Sequence, residues 1–214
     1  MVPEIERPVV APAEPPSPAP SPEPETVAAT ASPPETVAPQ PAQPAAVPPK
    51  QVEPAILPDA LELDIVHDKL IRSAVYATLH YRMTLVNRSD APLEQLAVWL
   101  DLVSAHAALP MEEQVATATS ALERRHAIAR LAARQSVTLE GQVQLPLEKA
   151  HVIRQGNHPL LVPLLRLRIA GACEGVLLKT FVVGQGEPGS ARVQPFRLDE
   201  GPRSYAPIAQ NEIA

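Results

Sequence analysis

The stretch VYATLHYRMTL, residues 75–85, decides the fold class because its residues alternate in polarity. Apolar side chains stand at every odd position, and mostly polar side chains stand between them. A β-strand points successive side chains to opposite faces, so the pattern predicts a long half-buried strand with one wet face. The run Asn87–Pro92 follows with the composition of a turn.

Similar alternating or apolar runs continue on both sides of this strand, separated by turn residues. The further strand candidates are residues 61–65, 96–102, 126–131, 136–145, 160–169, 176–183 and 193–198. Roughly seven or eight short strands with a turn about every ten residues predict a single immunoglobulin-like antiparallel β-sandwich. Gly141 suggests a β-bulge, residues 171–175 a hairpin connection, and the end of the chain after residue 198 an irregular extension.

Residues 110–125 interrupt the strand pattern. Pro110 suits a first helical position, two glutamates follow it, and two arginines close the segment. Val115, Ala118 and Leu122 recur at helical spacing. The pattern predicts one short amphipathic helix inserted between strands and docked by these three residues.

The N-terminal region has a different composition from the rest of the chain. Residues 1–58 hold 18 of the 27 prolines and contain neither an aromatic residue nor a glycine. Such a segment cannot bury enough apolar surface to offset its ordering entropy. It is predicted to be a disordered Pro/Ala/Glu-rich linker that acts as a spacer; its proline spacings leave open a docking role at aromatic grooves. Residues 59–214 then form one domain.

Composition excludes several classes of function. The net charge is −6, aromatic residues make up 3%, and no basic block occurs, so we expect no nucleic-acid partner. Cys173 is the single cysteine, which excludes an internal disulfide. No apolar run is long enough for a transmembrane helix, and the first residues do not resemble a signal peptide. We therefore expect no membrane insertion by this chain itself and no cofactor.

Residues 184–189, GQGEPG, match the G-x-G-x-x-G pattern of dinucleotide-binding loops. The chemistry of that pattern needs a helix N-terminus directly after the glycines, where free N–H groups meet phosphates. Pro188 lies inside the motif, and the residues that follow resemble a strand. The motif is therefore interpreted as a turn.

Other candidate site residues give weak signals. The six histidines have no metal-ligand spacing, although His151 and His158 flank a loop and could meet there. No G-x-S-x-G elbow is present, so an enzyme is not expected. Asn87 begins a glycosylation sequon that is interpreted as a turn. Trp99 suits either a binding role at the sheet or a cover over the core.

The segment PFRLDEGPRSYAP, residues 195–207, is the first candidate for a partner surface. Its candidate residues are Phe196, Arg197, Arg203 and Tyr205. Aromatic and arginine side chains carry most interface energy in protein complexes. In the alternative interpretation the two aromatic residues seal the sandwich, and the arginine at 203 pairs with the acidic residues at 199 and 200.

Several segments together resemble an uncharacterised alphaproteobacterial family. They are LVNRSDAPLEQLAVWLDLVSAH (85–106), LPLEKAHVI (145–153), HPLLVPLLRL (158–167), TFVVG (180–184) and PFRLDEGPRSYAPI (195–208). The resemblance implies a bacterial protein with a membrane helix, a Pro-rich linker and an immunoglobulin-like domain, and no assigned activity. This chain lacks the membrane helix, so either an anchor lies upstream of Met1 or this member is soluble; the cytoplasmic side is favoured.

These observations lead to two hypotheses about function. The first is a non-catalytic interaction or scaffolding module displayed on a Pro-rich spacer, with a protein as its partner. The alternative is a small-ligand binder or enzyme that uses the loops near His151 and His158. A pocket with two or three convergent polar groups would favour the alternative.

Overall fold

The computed structural model of the chain describes residues 56–214. This part is mainly β and antiparallel, which confirms the predicted fold class. Residues 1–55 of the predicted linker lie outside the described part of the chain. Leu57, which the sequence assigned to the linker, is fully buried and donates its backbone N–H to the Glu174 carbonyl. The folded part therefore already includes Leu57.

Two one-turn helices and twelve strands make up the described chain. The helices are α1 (Leu57–Ala60) and α2 (Met111–Gln114), and a 3-10 turn covers Leu147–Lys149. The strands are β1 (Leu61–Arg72), β2 (Tyr76–Asn87), β3 (Leu93–Ser104), β4 (Glu123–Leu131), β5 (Ser136–Pro146), β6 (Ile153–Gln155), β7 (His158–Leu161), β8 (Pro163–Ala170), β9 (Leu177–Gln185), β10 (Phe196–Arg197), β11 (Arg203–Tyr205) and β12 (Ile208–Glu212).

The strands form two large sheets that share one hydrophobic core. Sheet I has the order β11-β1-β2-β5, and sheet II has the order β12-β9-β8-β3-β4. A small third sheet has the order β10-β7-β6. Buried side chains from both large sheets belong to a single cluster, so the architecture is a β-sandwich.

Strand β2 follows the predicted alternation. Ala77, Leu79, Tyr81, Met83 and Leu85 are all buried, and the residues between them lie on the outer face. Because β2 pairs with β1 on one side and β5 on the other, its position within sheet I is central. The predicted hairpin connection at 171–175 is also confirmed, since β8 and β9 pair antiparallel.

The predicted bulge at Gly141 is wrong. Strands β2 and β5 keep an unbroken register through the pair Tyr81 and Gly141. A Cβ atom on Gly141 would lie 2.5 Å from the Tyr81 hydroxyl oxygen, so the glycine makes room for that side chain. Register shifts occur instead at His67 in β1 and beside Trp99 in β3.

The predicted inserted helix is present, but it is much shorter than the predicted range 110–125. Only Met111–Gln114 is helical, and the two arginines expected in its last turn belong to β4. Ala118 is exposed, and the buried residues of the segment are Gln114 and Ala116 instead. The Ala116 N–H donates to the buried Thr180 hydroxyl, 2.8 Å away, which holds the segment against sheet II in an extended form.

The C-terminal residues are more ordered than the sequence suggested. The predicted strand at 193–198 shrinks to the two residues of β10. The predicted irregular extension instead contains β11, which pairs with β1, and β12, which pairs with β9. Each large sheet thus gains an edge strand from the end of the chain.

Candidate functional site

A cavity of about 320 Å³ opens at one end of the sandwich, here called the cavity end. Strands β3 and β5 finish at this end and β2 and β8 begin there. The cavity is lined by Leu102, Val103, Ser104, His106, Leu109, Glu113, Gln114, Leu145, Pro146, Lys149, His151 and Arg166. Its volume lies at the lower end of the range for small-ligand pockets, and its walls combine apolar and polar side chains.

The loop that carries His106 is fixed by one buried side chain. Gln114 accepts a hydrogen bond from the His106 N–H at 2.7 Å and donates to the carbonyls of His106 and Leu109. His106 Nδ1 accepts from the Ala108 N–H at 3.2 Å. That acceptor role places the proton of a neutral His106 ring on Nε2.

His151 approaches the same cavity from the 3-10 turn after β5. Its backbone N–H donates to the buried Ser104 hydroxyl at 2.6 Å. The rings of His106 and His151 meet edge to face, with centroids 4.0 Å apart. The structure therefore pairs His151 with His106 rather than with His158. Sequence reasoning missed His106 because 45 residues separate the two histidines, and no local pattern links them.

His158 belongs to a separate surface cluster. Its Nδ1 lies 2.8 Å from Asp199 and 2.9 Å from the Arg197 guanidinium. The hydrogen bond from Arg197, followed by that from His158, holds the pKa of the Asp199 carboxyl well below its usual value. These exposed groups satisfy one another, so the cluster is a local ion-pair network.

Charged groups at the cavity are only partly compensated. Arg166 forms a two-point pair with Asp101, and its Nε lies 2.9 Å from Oδ1. That hydrogen bond raises the pKa of the Arg166 guanidinium. Glu113 and Lys149 are exposed, and neither forms an ion pair among residues 56–214. The mouth of the cavity therefore offers one free anion and one free cation.

Exposed apolar side chains also gather at the cavity end. Eight large apolar residues are exposed in the described chain, and five of them lie within two residues of the cavity lining, in sequence or across a strand pair: Val75, Tyr76, Leu109, Met111 and Val152. Leu109 lines the cavity itself, and Tyr76 is the cross-strand partner of the cavity residue Pro146. We call these five residues the apolar rim. Ile56, at the start of the described chain, lies at the opposite end.

The predicted partner residues divide into buried and exposed members. Phe196 and Tyr205 are buried and pack edge to face with ring centroids 5.0 Å apart. Arg203 lies at the surface beside Glu200 at 2.5 Å and over the Tyr205 ring. Arg197 is half-buried and pairs with Asp199. This geometry is that of the packing alternative.

The remaining motif residues occupy structural positions. No helix follows the glycines of 184–189; the chain turns there and returns to pair Gln194 with Gln185. Asn87 is fully buried and its side chain bonds the turn, as its interpretation as a turn residue predicts. Trp99 is half-buried beneath the Arg168 guanidinium, 4.7 Å from its ring centroid.

Within residues 56–214, no cluster of three or more histidine, cysteine or acidic side chains has the arrangement of a metal site. The same residues contain no helix with the length and apolarity that a membrane crossing requires. No protein-family model, curated protein sequence or solved structure matches this chain. The cavity and its apolar rim are the features of the described chain that best suit a binding site.

Proposed function

We propose that this chain is a non-catalytic interaction module that binds a protein partner with its cavity end. The observation that carries the proposal is the apolar rim, because five of the eight exposed large apolar side chains stand in or beside the lining of one cavity, and Leu109 is part of the lining itself. Exposed apolar clusters of this kind mark interaction sites on soluble domains. A cavity inside such a cluster suits an anchoring side chain of the partner.

An immunoglobulin-like identity for the sandwich is part of this proposal. The strand order β1-β2-β5 in one sheet and β9-β8-β3-β4 in the other supports it, with β11 and β12 as additions at the edges. Such sandwiches cluster their loops at the two ends and use one end for recognition. The described chain begins at the end opposite the cavity, where Leu57 meets Glu174.

The proposal is tested by placing a charge on the apolar rim. Leu109→Glu and Met111→Glu should abolish retention of partner proteins from extracts of the source cells, measured by quantitative mass spectrometry. Val66→Glu is the matched control, because Val66 is similarly exposed but lies in β1, outside the apolar rim. All three variants should keep the wild-type melting temperature. Equal retention of the same proteins by all three would contradict the proposal.

A small-molecule ligand is the second candidate function, and the polar lining of the cavity favours it. His106, His151 and Lys149 line one partly open cavity whose walls also contain apolar side chains. Amide shifts of these residues in an NMR fragment screen would detect such a ligand directly. Leu145→Trp should fill the cavity and abolish those shifts while leaving protein capture through Met111 intact.

A further inference from the structure

Strand β4 forms one edge of sheet II and contributes no residue to the lining of the cavity. Its strand partner is β3, and no backbone group outside β3 bonds the backbone of Glu123–Leu131 within residues 56–214; the Leu131 carbonyl alone also accepts from the Asn87 side chain. A strand at an edge leaves one row of N–H and C=O groups unpaired along its length. Nine residues of β4 therefore present a template for another strand.

The β4 edge is basic, although the chain as a whole is acidic. It contains Arg124, Arg125 and Arg130 against the single acid Glu123, so three positive charges less one give a net +2. Arg125 pairs with Glu123 at 2.5 Å. Arg124 and Arg130 form no ion pair among the described residues. The whole chain has a net charge of −6.

The shape of β4 also allows another backbone to approach. Ala127 and Ala129 are exposed near the middle of the strand, and their side chains are short. No proline interrupts the run from Glu123 to Leu131. The strand thus lacks proline, which blocks edge pairing, whereas its exposed arginines disfavour pairing with a basic strand.

We propose that the β4 edge binds an extended acidic segment of a partner protein as an added strand of sheet II. Main-chain hydrogen bonds would supply the docking geometry, as in other cases of strand addition. Cross-strand contacts with Arg124 and Arg130 would select carboxylate side chains, since opposite charges facing each other stabilise a strand pair. Two copies of β4 would instead face each other with the same net charge, which disfavours self-pairing.

The experiment is an NMR titration of the chain with a nine-residue peptide of alternating glutamate and valine, matched to the length of β4. A peptide of alternating lysine and valine is the charge control. The acidic peptide should shift the amides of residues 123–131, and its affinity should fall with added salt. Arg124→Glu with Arg130→Glu should weaken it by about tenfold or more.

A matched pair of variants controls for the overall change in charge. Arg154→Glu with Arg192→Glu changes two exposed arginines outside β4 that form no ion pair among the described residues. This variant should retain the affinity of the unmodified chain. Glutamine at 124 and 130 should give an intermediate loss, and melting temperatures should show that all variants are folded.

Three binding results would overturn the proposal, and so would a fourth, the absence of binding. The first three are equal binding of both peptides, shifts confined to residues outside β4, and an affinity that charge reversal at 124 and 130 leaves unchanged. Absence of binding at millimolar peptide would also overturn it. A dimer in sedimentation that dissociates on charge reversal would assign the edge to a second copy instead. None of these results depends on the apolar rim, so the two proposals fail separately.

Discussion

Tyr81 of sheet I reaches across the sandwich and shares a hydrogen bond with His126 of sheet II, with 2.8 Å between Oη and Nε2. Burial raises the pKa of the Tyr81 hydroxyl to about 12, so the hydroxyl keeps its proton. Burial, followed by the charge of Arg125, lowers the pKa of His126, which favours the neutral ring. This bond joins the two sheets beside the free edges of β4 and β5.

Tyr81→Phe should lower the free energy of unfolding by about 1 kcal/mol, because the Tyr81 hydroxyl is lost and His126 keeps an unpaired nitrogen. Urea denaturation measures the change. Gly141→Ala should destabilise more, since its new Cβ would clash with the Tyr81 ring and hydroxyl. Combining the two should cost less than their sum, because removing the hydroxyl relieves part of the clash. Strict additivity would show that the two sites do not communicate.

Stability should fall with acid because of His67. Burial lowers the pKa of this ring to about 4 from 6.5, with Gln210 opposing the shift only in part. The folded state therefore keeps His67 neutral while the unfolded state takes up a proton below about pH 6.5. The contribution of His67 to the free energy of unfolding is fully present above that pH. It decreases as the pH falls towards 4, by roughly 3 kcal/mol in all.

The His67→Phe variant isolates that contribution. Denaturation between pH 4 and 7 should show a smaller loss of stability than the unmodified chain shows. His80→Phe is the control, since His80 lies half-buried on the outer face of β2. Identical pH profiles for the His67 variant and the unmodified chain would contradict the assignment.

Asn87→Asp should cost on the order of 3 kcal/mol of stability, because a carboxylate would replace a buried amide donor. The Asn87 amide nitrogen lies 2.8 to 3.2 Å from the carbonyl oxygens of residues 91, 131 and 132. A carboxylate would face these three oxygens without a proton to share. Arg88→Ala, one residue on and exposed, should change stability by less than about 0.5 kcal/mol. Thermal and urea unfolding of both variants make the comparison.

Tyr205→Ala should destabilise the fold by about 3 kcal/mol or more, since the ring is buried against Phe196. Arg203→Ala should change stability by less than about 0.5 kcal/mol, because its pair with Glu200 is exposed. Calorimetry separates the two. If the Arg203 variant lost a partner protein while its melting temperature stayed unchanged, residues 195–207 would be a binding surface after all.

Local chemistry let the sequence predict the sheet. The alternation in β2 depends only on the period of a strand. The turn after Asn87 depends in part on short-range hydrogen bonds between its side chain and residues 89 and 91. The predicted helix at 110–125 is limited to Met111–Gln114 because side chains distant in sequence bond the backbone groups that a longer helix would have used. Thr180 takes the Ala116 N–H, and Arg168 takes the carbonyls of residues 118 and 120. These partners come from other strands of sheet II.

The candidate site was beyond sequence reasoning for the same reason. His151 carried a signal as a loop histidine, but its neighbour His106 lies on another loop, and only the packing of β3 against β5 brings the rings together. The apolar rim is likewise assembled from three separate loops. Strand periodicity is encoded residue by residue in the chain, whereas a cavity exists only where segments distant in sequence fail to fill the space between them.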